Sequence, residues 1–472
     1  MSVSLSATAG PFYRTLFACG ALLFAGGALL ASSIPSLAAE PVRFDVDWSP
    51  GRSSHVNAQL EVGGDLSLND KGATKKLKMS VLGKMSYDER LLAAQQDKQA
   101  FRSVRSYLVA DATIKIEKET TKPQLRHDRK LIVVDAQPLK ATLTSPEGPL
   151  TRDELDLLEL PGNSLLLDQL LPAGEVQVGD HWKHSNELLA VLLELDAVAD
   201  SDVKSVLKDA DGKVAHFEME GTVHGAVAGV ATDMRLKARY KYRNEAKRIT
   251  WFALLIEEKR PAGSVGPGAD VVAKLLVEIT APDDATALES IAEGLAKVDA
   301  PTVAMLEYAS PSGQYSFVHD RRWFPMAEQR ETFAMRLVDR GALIAQCNVS
   351  HLAKVDMQQL PTLPKFQEDV QKALGKNFQR FAQATESNTS SGNKIYRVVA
   401  EGNASELPIR WIYYLVSNAE GRQVVFAFTV EEALVDRLGD VDQDLVRTLV
   451  FKSPAPASVA KANEPTLAKP RK

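Results

Sequence analysis

Between Ala215 and Tyr242 the chain runs through two segments that alternate with a period of two residues and carry opposite charges. In the first, Ala215, Phe217, Met219, Gly221 and Val223 alternate with His216, Glu218, Glu220, Thr222 and His224. In the second, Met234, Leu236, Ala238, Tyr240 and Tyr242 alternate with Asp233, Arg235, Lys237, Arg239 and Lys241. Successive side chains of a strand leave on opposite faces, so each segment is a strand with one apolar and one polar face. Paired across the Gly225–Gly229 loop, they set acids against bases on the wet side and apolar groups against each other on the dry side. A register with Glu218 opposite Lys237 and Glu220 opposite Arg235, give or take two residues, meets both conditions, and a slip of one residue meets neither.

The same period extends to either side. Val56, Ala58, Leu60, Val62, Gly64, Leu66 and Leu68 share one face, the turn Asn69-Asp70-Lys71-Gly72 follows, and Leu77, Met79, Val81, Gly83, Met85 and Tyr87 repeat the pattern. Leu108, Ala110, Ala112, Ile114 and Ile116 continue it, and Leu131–Val134 adds a short strand. Ile249–Ile256 is apolar on both faces and is expected to be deeply covered. A helical insertion is expected over about 150–207: Thr151-Arg152-Asp153-Glu154 has the spacing of a capping box, and Asn186-Glu187 and Ser201-Asp202 have the look of further helix starts. Leu170-Leu171-Pro172 and Val178-Gly179-Asp180-His181-Trp182 between them are loop-like.

The beginning of the chain reads as an export signal. Arg14 precedes the apolar run Leu16–Ala31, and Ser32-Ser33-Ile34-Pro35 and small residues through Ala39 follow. The run is shorter than the roughly 20 residues that span a bilayer. Cys19 stands at its start, where a lipid-attachment cysteine would stand at its end. Cleavage before Glu40 removes one cation and no acid, taking the net charge from −5 to −6. That argues against a general nucleic-acid binder, which wants a basic surface. Only Cys347 remains after cleavage, so no internal disulfide holds the fold.

Residues 282–301 read as a linker with a helical piece at Thr286–Val298. A second domain over 302–452 follows, with strands at Tyr315–Val318, Phe333–Leu337, Gly341–Val349, Ile395–Ala400, Ile409–Val416 and Val424–Val430. Phe366, Val370 and Leu374, then Phe378 and Phe381, mark one long helix or two short ones, and Glu431–Leu438 and Asp440–Leu449 are helical in pattern. Residues 453–472 are rich in Pro, Ala and Lys and are expected to be a disordered tail. The fold class expected is α+β: a curved antiparallel, half-barrel-like sheet over 40–281 with a helical insertion, followed by a smaller α/β sandwich.

Two resemblances attach to these segments. Leu170-Leu171-Pro172, Val178-Gly179-Asp180-His181-Trp182, Gly221-Thr222-Val223-His224-Gly225 and Arg248-Ile249-Thr250-Trp251 resemble a domain family of planctomycete-type secreted proteins, which carries no activity to transfer. The long-strand layout is also similar, in topology, to the half-barrels of periplasmic lipoprotein carriers. From Met305 to Lys452 the order of elements resembles the PsbP/DcrB-type α/β sandwich, through Tyr315-Ser316-Phe317 with Trp323 and through Asp440–Phe451. That resemblance implies an accessory or assembly role.

Several residues have spacings that bear on chemistry. His181, His184 and Glu187 have a spacing that a helix would turn into a metal site, but Gly179-Asp180 places His181 on a loop or strand. His216, Glu218, Glu220 and His224 share a strand face, where same-face neighbours stand roughly 6.6 Å apart, and ion pairs with Arg235, Lys237 and Arg239 account for them. Cys347, with His351 four residues on, lies in the apolar strand GALIAQCNV and reads as core. Asp209-Ala210-Asp211-Gly212 begins like a calcium loop, but its twelfth position, Glu220, lies beyond a strand, so a hairpin turn is the better reading. The Gly/Pro-rich stretch 261–268 reads as a wide connection, and Trp182 and Trp251 as core residues. No catalytic, cofactor-binding or metal-binding residue is assigned.

The expectation for function is an exported, non-enzymatic envelope protein, periplasmic or extracellular in a bacterium, binding an apolar ligand such as lipid or an envelope protein partner. One alternative is a hydrolase whose site joins distant residues, with two of His181, His184, His319 and His351 beside a carboxylate. Another is a bridging module with a large exposed apolar patch on its C-terminal part.

Overall fold

The computed structural model describes residues 40–70, 73–95, 100–138, 140–263, 266–295, 304–328, 332–339 and 342–452. The expected signal segment 1–39 and tail 453–472 lie outside the described residues. Strands make up 56% of the described residues and helices 15%, in three antiparallel sheets. The α+β expectation, with its helical insertion, is therefore overturned.

The large sheet has thirteen strands: β1 (Ser53–Asp70), β2 (Ala73–Ala94), β3 (Phe101–Ile116), β4 (Glu119–Thr121), β5 (Leu131–Gln137), β6 (Lys140–Thr144), β7 (His181–Lys183), β8 (Ala197–Ser201), β9 (Lys204–Ala210), β10 (Val214–Val227), β11 (Val230–Arg243), β12 (Arg248–Arg260) and β13 (Gly268–Thr280). Its order is β6-β5-β3-β2-β1-β13-β12-β11-β10-β9-β7, with β4 added on β3 and β8 on β10. The β10–β11 hairpin forms with Glu218 opposite Arg239 and Glu220 opposite Lys237, two residues from the register read in the sequence. That shift keeps the parity, so both faces are as expected: Phe217 and Met219 are buried, and Glu218 reaches Arg239 at 3.1 Å on the wet side.

Two details of the strands differ. A bulge in β3 sets Ser86 opposite Val109 but Tyr87 opposite Tyr107, so Tyr107 turns inward and Leu108 is exposed. In β12 the inner face is buried, but Trp251 and Leu255 on the outer face are only half-buried.

Residues 150–207 hold two seven-residue helices, α1 (Arg152–Leu158) and α2 (Asn186–Leu192), rather than a helical insertion. Thr151 and Glu154 do form the capping box. Ser201-Asp202 leads instead into β9, and Val203 just before it, with Ser205 and Leu207 in it, turns inward with period two. The polar Ser205 hid that alternation, and it is accommodated inside by a 2.7 Å hydrogen bond with His184 Nε2. The leucines of this stretch, among them Leu155, Leu167, Leu170 and Leu189, share one continuous core with the inner faces of the strands. Helix α2 follows β7 at one end of the strand order yet touches β6 at the other, so the sheet curls around a filled centre. The segment before β1 crosses one mouth of the curl: Phe44 meets Phe217 and Tyr242 edge to face, and Trp48 stacks on Phe101 with centroids 4.6 Å apart. Helix α3 (Glu289–Leu295) packs outside, against Val104 and Val133.

The remainder forms a seven-stranded sheet from β16 (Trp323–Glu328), β17 (Thr332–Asp339), β18 (Ala342–Leu352), β19 (Phe378–Asn388), β20 (Lys394–Ala404), β21 (Leu407–Ser417) and β22 (Gln423–Glu431), in the order β16-β17-β18-β22-β21-β20-β19. On one face lies α4 (Leu363–Leu374), whose Phe366, Val370 and Leu374 meet Tyr396, Val398 and Trp411. The other face is covered by a small sheet of β14 (Leu306–Ala309), β15 (Tyr315–His319) and β23 (Val450–Phe451), with α5 (Val435–Leu438) and α6 (Val441–Arg447). Phe378 and Phe381 belong to edge strand β19 and not to a helix. Two bulges against β20 bring residues three apart onto one face, which imitates helical spacing. The two parts meet through polar contacts: Leu150 bridges Leu306, Arg126 contacts Glu154 and Glu307, and Arg152 donates to the carbonyls of Arg321 and Trp323.

Candidate functional site

Charged side chains on the inner face of a strand are buried with the core, and a buried charge is tolerated only when paired. Near the mouth crossed by Trp48 this happens several times over. Glu89 stands two residues beyond Tyr87 on the inner face of β2 and accepts hydrogen bonds from Arg105 Nε (2.8 Å), Ser103 (3.0 Å) and Ser164 (2.8 Å). Arg105 also reaches Asn163 at 2.5 Å, and its guanidinium lies 4.7 Å from the ring centre of Tyr87. Burial opposes ionisation of Glu89, but Arg105 and Ser164 outweigh it and hold the carboxyl below its usual range.

Beside this pair, Arg52 and Arg248 converge on a single carboxylate, Asp168 Oδ2, at 3.5 and 3.8 Å. Asp168 Oδ1 accepts from the Ile249 backbone N–H at 2.6 Å, and Arg248 donates to Ser54 Oγ at 2.5 Å. Asp168 Oδ2 and Arg248 Nε are buried without a hydrogen-bond partner among the described residues. Burial raises the Asp168 carboxyl against the pull of both arginines; burial, and then the like charge of Arg248, lower the affinity of Arg52 for its proton. Arg52, Arg105 and Arg248 thus share Glu89 and Asp168 inside, and Arg52 also faces Asp47 at the mouth.

Above it opens a groove of about 560 Å³, between the Asp47–Ser54 segment and the adjoining ends of β1, β11, β12 and β13. Arg52, Lys241, Arg243 and Arg248 line it, against two carboxylates, Asp47 and Glu278. Half-buried Trp251 forms a wall, with the Lys241 ammonium 5.0 Å from its ring centre. Inside the curl, a cavity beside Arg105 and Asn163 holds about 20 Å³, room for about one water molecule.

The residues singled out in the sequence are dispersed. His181 is exposed on β7, while His184 is buried, and burial lowers its pKa to about 4. His216 lies 3.5 Å from Asp209, His224 lies 2.7 Å from Asp233, and Glu218 is engaged by Lys208 and Arg239. No group of three His, Cys, Asp or Glu close enough to hold a metal occurs among the described residues. Asp211 accepts from the backbone of Lys213 and Val214 and so builds the hairpin turn. Cys347 is buried, and burial raises its thiol well above the usual range, away from a thiolate. His319 is buried in β15, its pKa lowered to about 4 by burial. Neither cavity is lined by His181, His184, His319 or His351, so the polar pocket required by a hydrolase of that design is missing from both. On the C-terminal part the exposed large apolar residues among those described are Leu343 and Leu352 near the two ends of β18, Leu407 at the start of β21 and Val450 in β23.

Sequence reading missed Arg52, Glu89, Arg105, Asp168 and Arg248. A signal existed for two of them: Glu89 continues the Leu77–Tyr87 face at period two, and Asp168 interrupts a run of leucines, whereas the bulge at Leu108 hid Arg105.

No family model matches the chain, and no curated protein matches it. Among solved structures, cyanobacterial PsbP from Synechocystis is similar at 14% identity over 34% of this chain and 99% of that one, with a TM-score of 0.26. The Ran-binding protein Mog1p of Saccharomyces cerevisiae is similar at 13% identity over 31% of this chain and 95% of that one, also with a TM-score of 0.26. OmpF of Salmonella typhi, in complex with daunomycin, covers 80% of this chain and 97% of its own at 7% identity and a TM-score of 0.14. At such scores none of the three assigns a fold or a function to this chain.

Proposed function

We propose that this chain is an exported, non-catalytic binding protein of the cell envelope, and that it engages its ligand or protein partner from outside the curled sheet. The observation that carries this reading is the filled centre. Leu155, Leu167, Leu170 and Leu189 occupy the space that an open half-barrel would offer to a lipid, and the cavity beside Arg105 holds about 20 Å³. A bound acyl chain needs hundreds of cubic ångströms. The apolar-carrier version therefore gives way to binding at the surface, for which the groove above Arg248 offers about 560 Å³. Export rests on the Arg14 and Leu16–Ala31 pattern.

Native mass spectrometry of the protein purified from its own envelope fraction tests both halves. The expected species begins at Glu40 and carries no lipid. A stoichiometric lipid adduct, or an uncleaved chain recovered from the cytoplasm, would overturn the reading.

A further inference from the structure

We propose that the groove above Arg52 and Arg248 is a binding site for a small organic anion, one that presents a phosphate or carboxylate to the arginines and an apolar portion to Trp251. The inference rests on the reading that this chain binds rather than converts, and it adds the chemical class of the ligand.

Three independent features meet there. The first is a pair of arginines with poorly satisfied polar atoms. Two guanidiniums share Asp168 Oδ2 at 3.5 and 3.8 Å, too long for hydrogen bonds, and Arg248 Nε has no hydrogen-bond partner among the described residues. A buried guanidinium with an unmet donor is costly, and an anion entering the groove offers acceptors to Arg52 and Arg248. The guanidinium fork suits the paired oxygens of a phosphate or carboxylate. The second feature is the rim. Lys241 and Arg243, at the end of β11, add two cations at the entrance, so four cations oppose Asp47 and Glu278. Asp47 is already engaged: its side chain accepts from the Ser49 backbone N–H and its carbonyl from Arg52. The third feature is an apolar wall of Trp251, Ile279 and Ala281, in a space of about 560 Å³, within the range of roughly 300–1,000 Å³ typical of small-molecule sites. A bare inorganic ion would leave that wall uncovered, and a neutral aromatic would leave the arginines as they are.

Isothermal titration of the full chain at low salt, with phenyl phosphate, inorganic phosphate and phenol as probes, tests the assignment. Phenyl phosphate is expected to bind one to one, at least about tenfold more tightly than inorganic phosphate, with phenol weaker than both and with affinity falling as salt rises. Trp251 fluorescence should change on binding, and the change should vanish in Trp251→Phe. The double variant Lys241→Ala/Arg243→Ala alters only rim residues, so its circular dichroism and Tm should match the parent while phenyl phosphate binding weakens about tenfold or more. Failure of both anions to bind the folded parent would overturn the proposal. So would tighter binding of phenol, or full affinity in the double variant. None of these outcomes touches the lipid-free mass on which the proposed function depends, so the two can fail separately.

Discussion

Arg105 donates its Nε–H to Glu89 Oε1 at 2.8 Å, with both side chains buried inside the curl of the large sheet. Two residues from strands predicted to have apolar inner faces thus form an ion pair, closed by Ser103, Ser164 and Asn163. Breaking one side leaves the other charged, buried and unpaired. Arg105→Met is therefore expected to cost about 3–5 kcal/mol, read from urea unfolding at pH 7. Because the folded carboxyl of Glu89 lies below its ordinary value of 4.5, its contribution is present above that value and is lost as pH falls through the folded pKa. Glu89→Gln should flatten that acid loss; an unchanged acid limb would contradict the prediction.

His184 and His319 set a second pH dependence. Burial lowers each from 6.5 to about 4. Between those values the unfolded chain takes up a proton that the folded chain refuses, so stability falls as pH drops from 6.5 toward 4. The loss amounts to about 3 kcal/mol per histidine at most. Denaturation at pH 7.5, 6, 5 and 4 should show the slope, and His184→Gln should lessen it even if it lowers stability at pH 7.5.

Gly221 marks the point where β10 changes partner, pairing with β9 through Glu220 and with β8 from Val223. The chain at Asp202 and Val203 crosses directly over it, and its φ of +155° adds strain for any side chain. Gly221→Ala would drive a methyl group into the Asp202 carbonyl and is expected to cost about 2–3 kcal/mol. A Tm equal to that of the parent would show that the crossing can shift aside.

The two faces of β10 should respond very differently. Phe217 is buried and stacks on Tyr240 at 4.7 Å, so Phe217→Ala should cost about 3–5 kcal/mol. Its neighbour Glu218 is half-buried on the wet face and ion-paired with Arg239, and Glu218→Ala should cost under about 1 kcal/mol. Comparable losses from the two would mean that the strand faces are misassigned.

Strand faces were legible because a period of two is a local property: the pattern 215–242 contained the hairpin, its polarity and, to within two residues, its register. Helix starts were partly legible, since a capping box needs only Thr151 and Glu154. Where a bulge or a buried polar residue interrupts a period, local reading failed. Leu108 was placed on the wrong face, Phe378 and Phe381 were assigned to a helix, and Ser205 disguised β9.

The chain by itself thus determined which stretches extend, which faces are dry and where hairpins turn, because those depend on neighbours within a few residues. Only the tertiary structure decided that the sheet curls on residues 150–195 and fills its own centre, since that depends on α2 meeting β6 across nearly fifty residues of sequence. The groove has the same origin. Arg52, Asp168 and Arg248 are scattered over almost two hundred positions, and no period links them. Their charges find one another only because the curl carries them to the same mouth and removes the water that would otherwise screen them.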